Sequence, residues 1–260
     1  MKTKQDQSDV ARNSRRNSSE LDEGQELCGP ESMTNRAYTR IRADIISGVL
    51  APERKLKIEE LRQIYNLGPS PIREALSSLT SEYLVERLDQ RGFRVARISL
   101  VEFDELLKTR CWLEERALRE AIANGDKEWE EQVLLAAYRL SRVPRLEAGS
   151  DCSDNHEWEQ RHRHFHKTLI TACGSKILLR LCEMLYDQNI RYRQLSNIKA
   201  YPARDINAEH GVITDAVLAR NADLATELLI AHYTETGKHL KESLVLTVPT
   251  TDEHESERSL

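Results

Sequence analysis

The chain has 260 residues, 39% of them hydrophobic and 31% charged, with a formal net charge of −5. That length suffices for two domains of ordinary size, and no apolar run approaches a membrane span or forms a signal segment, so a soluble, cytoplasmic protein is expected. Five cysteines, Cys28, Cys111, Cys152, Cys173 and Cys182, are odd in number and include no CxxC pair, which argues against a disulfide framework or a cysteine zinc site.

Residues 1–33 are rich in Ser, Asn, Gln, Asp, Glu and Arg and read as a disordered tail, the alternative being an arm that sets Arg12, Arg15 and Arg16 on phosphates. Further on, Ile58–Tyr65 has helical amphipathic spacing and is joined through Asn66-Leu67-Gly68 to a second helix opening at Gly68-Pro69-Ser70-Pro71. Prolines are tolerated in a first helical turn, and Ser70 is expected to cap it. Arg73 then points from the exposed first turn, while Ala75, Leu76 and Leu79 form the apolar face. Two strand-like runs, 83–88 and 93–98, flank Asp89-Gln90-Arg91-Gly92 and predict a hairpin with a basic tip. A helix-turn-helix followed by such a wing implies double-stranded operator DNA, with Ser70, Arg73, Arg91, Gly92 and Arg94 as the contacting residues. Charge agrees: residues 34–98 carry 12 Lys+Arg against 8 Asp+Glu, a net of +4, whereas 1–33 carry −2 and 99–260 carry −7.

The segment 34–98 resembles the winged-helix domain of the GntR family of bacterial transcription regulators. Ile46-Ser47-Gly48-Val49-Leu50, Pro52, Leu56, Pro71-Ile72-Arg73-Glu74-Ala75-Leu76, Leu79, Leu84-Val85 and Gly92-Phe93-Arg94-Val95 carry the resemblance. It departs at Gly68-Pro69, where the family usually has Ser-Arg, so the operator sequence does not transfer.

From Ser99 the pattern is helical. Ser99 can cap a long helix ending near Asn124-Gly125, and further helices fit 128–140, 155–172, 176–194, 206–219 and 222–240. The predicted fold is mainly α: an N-terminal winged helix-turn-helix at 34–98, an antiparallel helical bundle at 99–242, and a flexible tail at 243–260.

His162 and His166 are spaced i, i+4, so both imidazoles leave one helix face, a bidentate metal-ligand spacing; His164 lies on the other side. His210 and His232 sit in two other predicted helices. Four imidazoles from three helices could converge on a divalent metal. Arg110 and Glu114 are another i, i+4 pair, readable as a helix ion pair.

Arg163-His164-Phe165-His166-Lys167-Thr168-Leu169, Glu209-His210, Ala231-His232 and the Arg110 to Glu114 segment resemble the FCD ligand-binding domain of the FadR subgroup of GntR regulators. Trp158, Arg161-His162, Cys173-Gly174-Ser175 and Arg191-Tyr192-Arg193 bring the likeness nearest to the CsiR-type repressors that respond to glutarate. The resemblance implies metal ligands at His166, His210 and His232, and places His162 where the family usually has Asp. Replacing a carboxylate by an imidazole favours Zn or Ni over Mg or Ca. It also places Arg110 at the cavity, clamping a carboxylate, with Arg193 a further ligand-binding candidate. Direct contact between the histidines and an acid stays open beside the metal.

The sequence therefore predicts no enzyme but a homodimeric transcription regulator, a repressor released by a small carboxylic acid, a dicarboxylate or hydroxy acid. The alternative is a metal-dependent enzyme with an accessory DNA-binding domain. Against it, there is no HExxH and no general base beside the histidines.

Overall fold

Helix α1 (Met33–Ile46) starts where the Ser32 side chain accepts a hydrogen bond from the Asn35 amide. The computed structural model describes residues 32–89, 91–145, 155–195 and 204–247, so the expected tail 1–33 lies outside them except for its last two residues, which open α1. Helix α2 (Ile58–Tyr65) stops at Asn66, whose left-handed backbone (φ 53°) turns its N–H back to the Arg62 carbonyl. Helix α3 (Pro69–Ser81) follows within three residues.

The expected cap is corrected here. Gly68, not Ser70, is the extended residue before α3 and has no side chain to cap with; Ser70 lies inside the helix, exposed. Strands β2 (Val85–Leu88) and β3 (Gly92–Val95) form the hairpin, with Leu88 opposite Gly92. They are shorter than predicted, since Tyr83 has φ 60° and cannot begin a strand. A two-residue strand, β1 (Lys55–Leu56), pairs with the other edge of β3, giving the antiparallel order β1-β3-β2. Ala37, Ile41 and Ile45 of α1 meet Leu61, Ile72, Leu76 and Leu79 and the sheet residues Val85, Phe93 and Val95 in one apolar core.

The second half is a helical bundle. Ser99 caps α4 (Leu100–Asn124) as expected, accepting from the Glu102 amide, and Asp126 caps α5 (Lys127–Ser141). Then follow α6 (His156–Ile170), a 3-10 turn at Thr171–Cys173, α7 (Lys176–Leu195), α8 (Ile206–Leu218) and α9 (Ala222–Thr247). Residues 243–247, expected as tail, continue α9, because Leu240 and Leu244 are buried with Phe103, Leu106 and Tyr192. The rest of that tail lies outside the described residues. Helix α4 packs on α7 and α9, α5 on α6, and α8 on α9, around Leu118, Trp129, Val133, Phe165, Val217 and Leu229.

The two halves meet along α7. Asp187, buried, pairs with Arg42 of α1 and with Arg163 of α6. Gln188 Nε2 donates to the Glu82 carbonyl (3.2 Å), Arg191 to the Ala96 carbonyl, and Tyr192 Oη to the Ser99 carbonyl (3.3 Å). Gly48, with φ +80°, brings α1 so near α7 that a Cβ there would stand 3.1 Å from Leu195.

Candidate functional site

Ser70 and Arg73 on α3 and Arg91 and Gly92 at the hairpin tip are all exposed, Gly92 with φ +93°. Arg94 differs from that expectation. It is half-buried, and its guanidinium reaches across the hairpin to Glu86, its register partner, at 2.5 Å. Burial would raise the Glu86 carboxyl, but the hydrogen bonds from Arg94 and the Arg97 amide hold it below the usual range. Arg94 is thus committed within the wing, and Arg91 is left as the arginine at the tip.

Inside the bundle the structure brings His162, His166, His210 and His232 together. All four are buried, and one ring nitrogen from each lies within 4.8 Å of the others. Helix α6 supplies the first two because i and i+4 share a face; α8 and α9 supply the others. Trp158 stacks on His162 with centroids 4.5 Å apart, and Phe165 closes against His210 at 4.9 Å. His164, which its spacing sets on the other side of α6, is exposed.

Burial, followed by the neighbouring imidazoles, pushes the rings of His162 and His166 well below the ordinary histidine range; His210 is driven down by burial and then by His232. His232 also falls through burial, though a hydrogen bond to Glu209 opposes the shift. Burial would raise Glu209, yet hydrogen bonds from His232 and Arg204 bring it down to about 2. The cluster is therefore neutral imidazole, the form in which histidine binds metal.

The donors fit a cation. His162 Nε2 and His166 Nε2 face each other at 3.1 Å, close to the separation of about 3.3 Å that two imidazole nitrogens have around a tetrahedral zinc. Neither nitrogen of His210 has a hydrogen-bond partner among the described residues, although both are buried. A buried imidazole with neither nitrogen partnered is a costly arrangement unless a positive charge sits beside it.

Beside the cluster lies a cavity lined by Arg110, Arg145, Trp158, Asn189, Arg193 and Thr236, with His162, His232 and both Tyr186 and Tyr233 on its wall. Arg110 donates from Nε to Glu114 at 2.6 Å, and its guanidinium lies 3.9 Å from the Tyr233 ring centre. Burial works against its charge, but Glu114 outweighs it, so Arg110 stays a cation; its Nη2 is buried with no partner among the described residues. The helix ion pair is thus present, and it is buried rather than on the surface. Arg193 pairs with Glu159 and lies over Trp158. Its neighbours Arg191 and Tyr192 turn instead to the junction with the first half, and Arg161 pairs with Glu157 on the surface.

Sequence spacing missed the roles of Tyr186, Tyr233, Arg145, Arg204 and the outer carboxylates Glu159 and Glu209. Tyr233, beside His232, and Glu209, beside His210, carried a signal.

An exposed helix after a short turn, followed by a wing in a domain of net positive charge and joined to a helical bundle, defines a DNA-binding transcription regulator. Residues 33–95 match the family described as bacterial regulatory proteins, gntR family, and residues 105–235 match the FCD domain. The chain belongs to the GntR family, in its FCD-bearing, FadR-like subgroup. It is 40% identical over 206 residues to the HTH-type transcriptional regulator BphR of Paraburkholderia xenovorans (strain LB400), covering 79% of this chain and 84% of that one. It is 37% identical over 199 residues to the HTH-type transcriptional repressor GlaR of Escherichia coli (strain K12), covering 75% and 90%. Escherichia coli McbR/YncC shares the fold, with a TM-score of 0.68 at 19% identity over 81% of this chain and 98% of that one. So does a putative regulator from Rhodococcus sp. RHA1, with a TM-score of 0.63 at 20% identity over 80% and 97%. The relatives are named transcriptional regulators; this chain is a regulator and not the enzyme of the alternative reading. Among the described residues no helix is long and apolar enough to cross a membrane.

Proposed function

We propose that the chain is a cytoplasmic repressor that holds operator DNA as a homodimer and releases it when a small carboxylic acid, a dicarboxylate or hydroxy acid, fills the cavity beside the histidines. The winged helix at 34–98 is the reader and 99–242 the sensor. One short α3 and one wing cover a half-site, so two-fold pairing doubles the contacts on a palindrome. Ser70 and Arg73 face base edges; Arg91 and Gly92 meet the backbone or minor groove. GlaR, a relative, is named a repressor.

The observation that carries the acid reading is the buried, partnerless Nη2 of Arg110 on the wall of that cavity. A guanidinium with a spare donor in a low-dielectric pocket takes a carboxylate oxygen more readily than any neutral group. Arg193, in the same lining, offers a second cationic pole. His162, His166, His210 and His232 would hold a divalent ion, Zn or Ni, which would supply positive charge beside the acid. The facing Nε2 atoms favour this over histidine contact with the acid alone, because two neutral acceptors 3.1 Å apart repel.

Helix α7 is the natural carrier of the signal. Tyr186, Asn189 and Arg193 line the cavity, while Asp187, Arg191 and Tyr192 grip α1, the segment that follows β3 and the start of α4. A rotation of α7 under a filled cavity moves both recognition helices of the dimer.

The test is a thermal-shift screen of small mono- and dicarboxylates on metal-analysed protein, followed by calorimetry of the hit with and without operator. An acid that lowers operator affinity by a coupling of roughly 1–3 kcal/mol, reciprocally weakened by operator and lost in Arg110→Ala, supports the reading. Unchanged affinity in Arg110→Ala would remove the acid from this cavity.

A further inference from the structure

Each of three imidazoles in the cluster has its outer nitrogen committed in the same way. His232 Nδ1 lies 2.7 Å from Glu209 Oε2, and a carboxylate only accepts, so the ring proton is on Nδ1. His166 Nδ1 lies 2.9 Å from Tyr233 Oη, whose single proton goes to Glu114; the hydroxyl oxygen must accept from the ring. His162 Nδ1 lies 2.9 Å from Tyr186 Oη, whose proton goes to Glu159 at 3.1 Å. Behind each carboxylate stands a guanidinium: Arg110 on Glu114, Arg193 on Glu159, and Arg204 on Glu209. In all three rings the lone pair is thereby left on Nε2, the inward nitrogen.

We propose that these three chains, imidazole to carboxylate to arginine, through a tyrosine hydroxyl at His162 and His166 and directly at His232, are the positioning apparatus of the histidine centre, and that Arg204 and Glu209 are positioning residues for His232. The proposal rests on the reading that the histidines hold a metal ion. The Arg204 arm differs from the other two. Arg110 and Arg193 line the cavity and are open to an acid, whereas Arg204 and Glu209 do not line it. Arg204 instead holds both Glu209 oxygens, at 2.5 and 2.6 Å, and donates to Thr236 Oγ1 at 2.8 Å and to the His232 carbonyl at 2.9 Å. It ties the carboxylate to the backbone of the residue it orients. Outer hydrogen bonds of this kind fix the tautomer and raise ligand basicity, and their loss costs about 10–100-fold in metal affinity.

Glu209→Gln tests this directly. Arg204 donates only, so it claims the amide oxygen and turns the amide NH2 toward His232 Nδ1, which must then accept. The ring proton moves to Nε2 and blocks the inward lone pair. The measurements are 15N imidazole spectra of metal-free protein, which read the tautomer ring by ring, and zinc competition against a chromogenic chelator. Wild type is expected to show Nδ1–H at His162, His166 and His232. The variant is expected to show Nε2–H at His232 alone, with zinc affinity down about 10–100-fold. If Glu209→Gln fails to fold, Arg204→Lys keeps the charge but not the fork, and a several-fold loss of zinc affinity is expected there. Wild type with the His232 proton on Nε2, or a folded Glu209→Gln variant holding zinc as tightly as wild type, would overturn the proposal. Wild type that takes up no zinc would overturn the metal reading itself and this one with it.

Discussion

The two halves of the molecule are built on opposite principles at their centres. The reader closes over Ile41, Ile45, Leu61, Ile72, Leu76 and Leu79 and keeps its charges outside. The sensor buries Arg110, Glu114 and four histidines among its helices, with Tyr186 and Tyr233 threaded between them. An apolar centre is stable by itself, whereas a buried polar layer is stable only while every member has a partner. The reader's stability is thus a property of its own sequence. The sensor's depends on pH and on what it binds.

Acid should separate the halves most strongly. Burial lowers all four ring pKa values, so below about 6.5, where unfolded histidines gain protons, the unfolded sensor binds more protons than the folded one. The contribution of these groups to stability is full above that pH and is lost progressively as pH falls below it. The first histidine of the chain is His156, so the reader has none. Tryptophan fluorescence reports the sensor alone, because Trp112, Trp129 and Trp158 all lie there. Urea midpoints of metal-free protein at pH 7.5 and 5.5 should therefore diverge by that probe. Equal midpoints would mean the histidines are not buried neutral.

Next in size is Glu114→Ala. It leaves Arg110 buried without its carboxylate and removes the acceptor of Tyr233, a loss of about 3–5 kcal/mol in the tryptophan-detected transition. Loading with zinc should act in the opposite direction. At a hundred times its dissociation constant it adds about 2.7 kcal/mol to the sensor, and a fourfold alanine variant at His162, His166, His210 and His232 should show none of this.

Smaller effects fall on the reader. Arg73→Ala should weaken operator binding by about 1–3 kcal/mol in gel shifts without moving the sensor's transition. Arg91→Ala should reduce affinity evenly across sequences and lower the salt slope by about one, while Arg94→Ala, already paired to Glu86, should act mainly on hairpin stability. An operator loss from Arg94→Ala as large as that from Arg73→Ala would reverse this assignment.

The same contrast explains what could be read in advance. The reader is local in sequence: the prolines of α3, the turn at Asn66 and the glycine of the wing each announce themselves within a few residues. β1 did not, because two residues show no alternation and Lys55–Leu56 become a strand only on meeting β3. The Arg94–Glu86 pair was within reach, since a hairpin closed by Leu88 and Gly92 sets those two opposite each other. In the sensor, His162 and His166 were legible from one helix. The roles of Tyr186, Glu209 and Arg204 depend on how α7, α8 and α9 approach α6, and nothing local encodes that.

Helix α9 brings His232 and Tyr233 to the centre and Leu240 and Leu244 to the seam against Phe103, and it is the last element described. The reader's core is complete by Val95. During translation at 5–20 residues per second, the ribosome therefore releases a finished reader on the order of ten seconds before the sensor can close. A chain interrupted before Ala222 keeps every residue of the reader's core but lacks His232, one of the four histidines, and Tyr233, and so breaks two of the three hydrogen-bonded chains behind the cluster. Such a fragment is deaf to the signal while its reading surface is intact, so truncations on the two sides of α9 should sort into regulators that respond and regulators that do not.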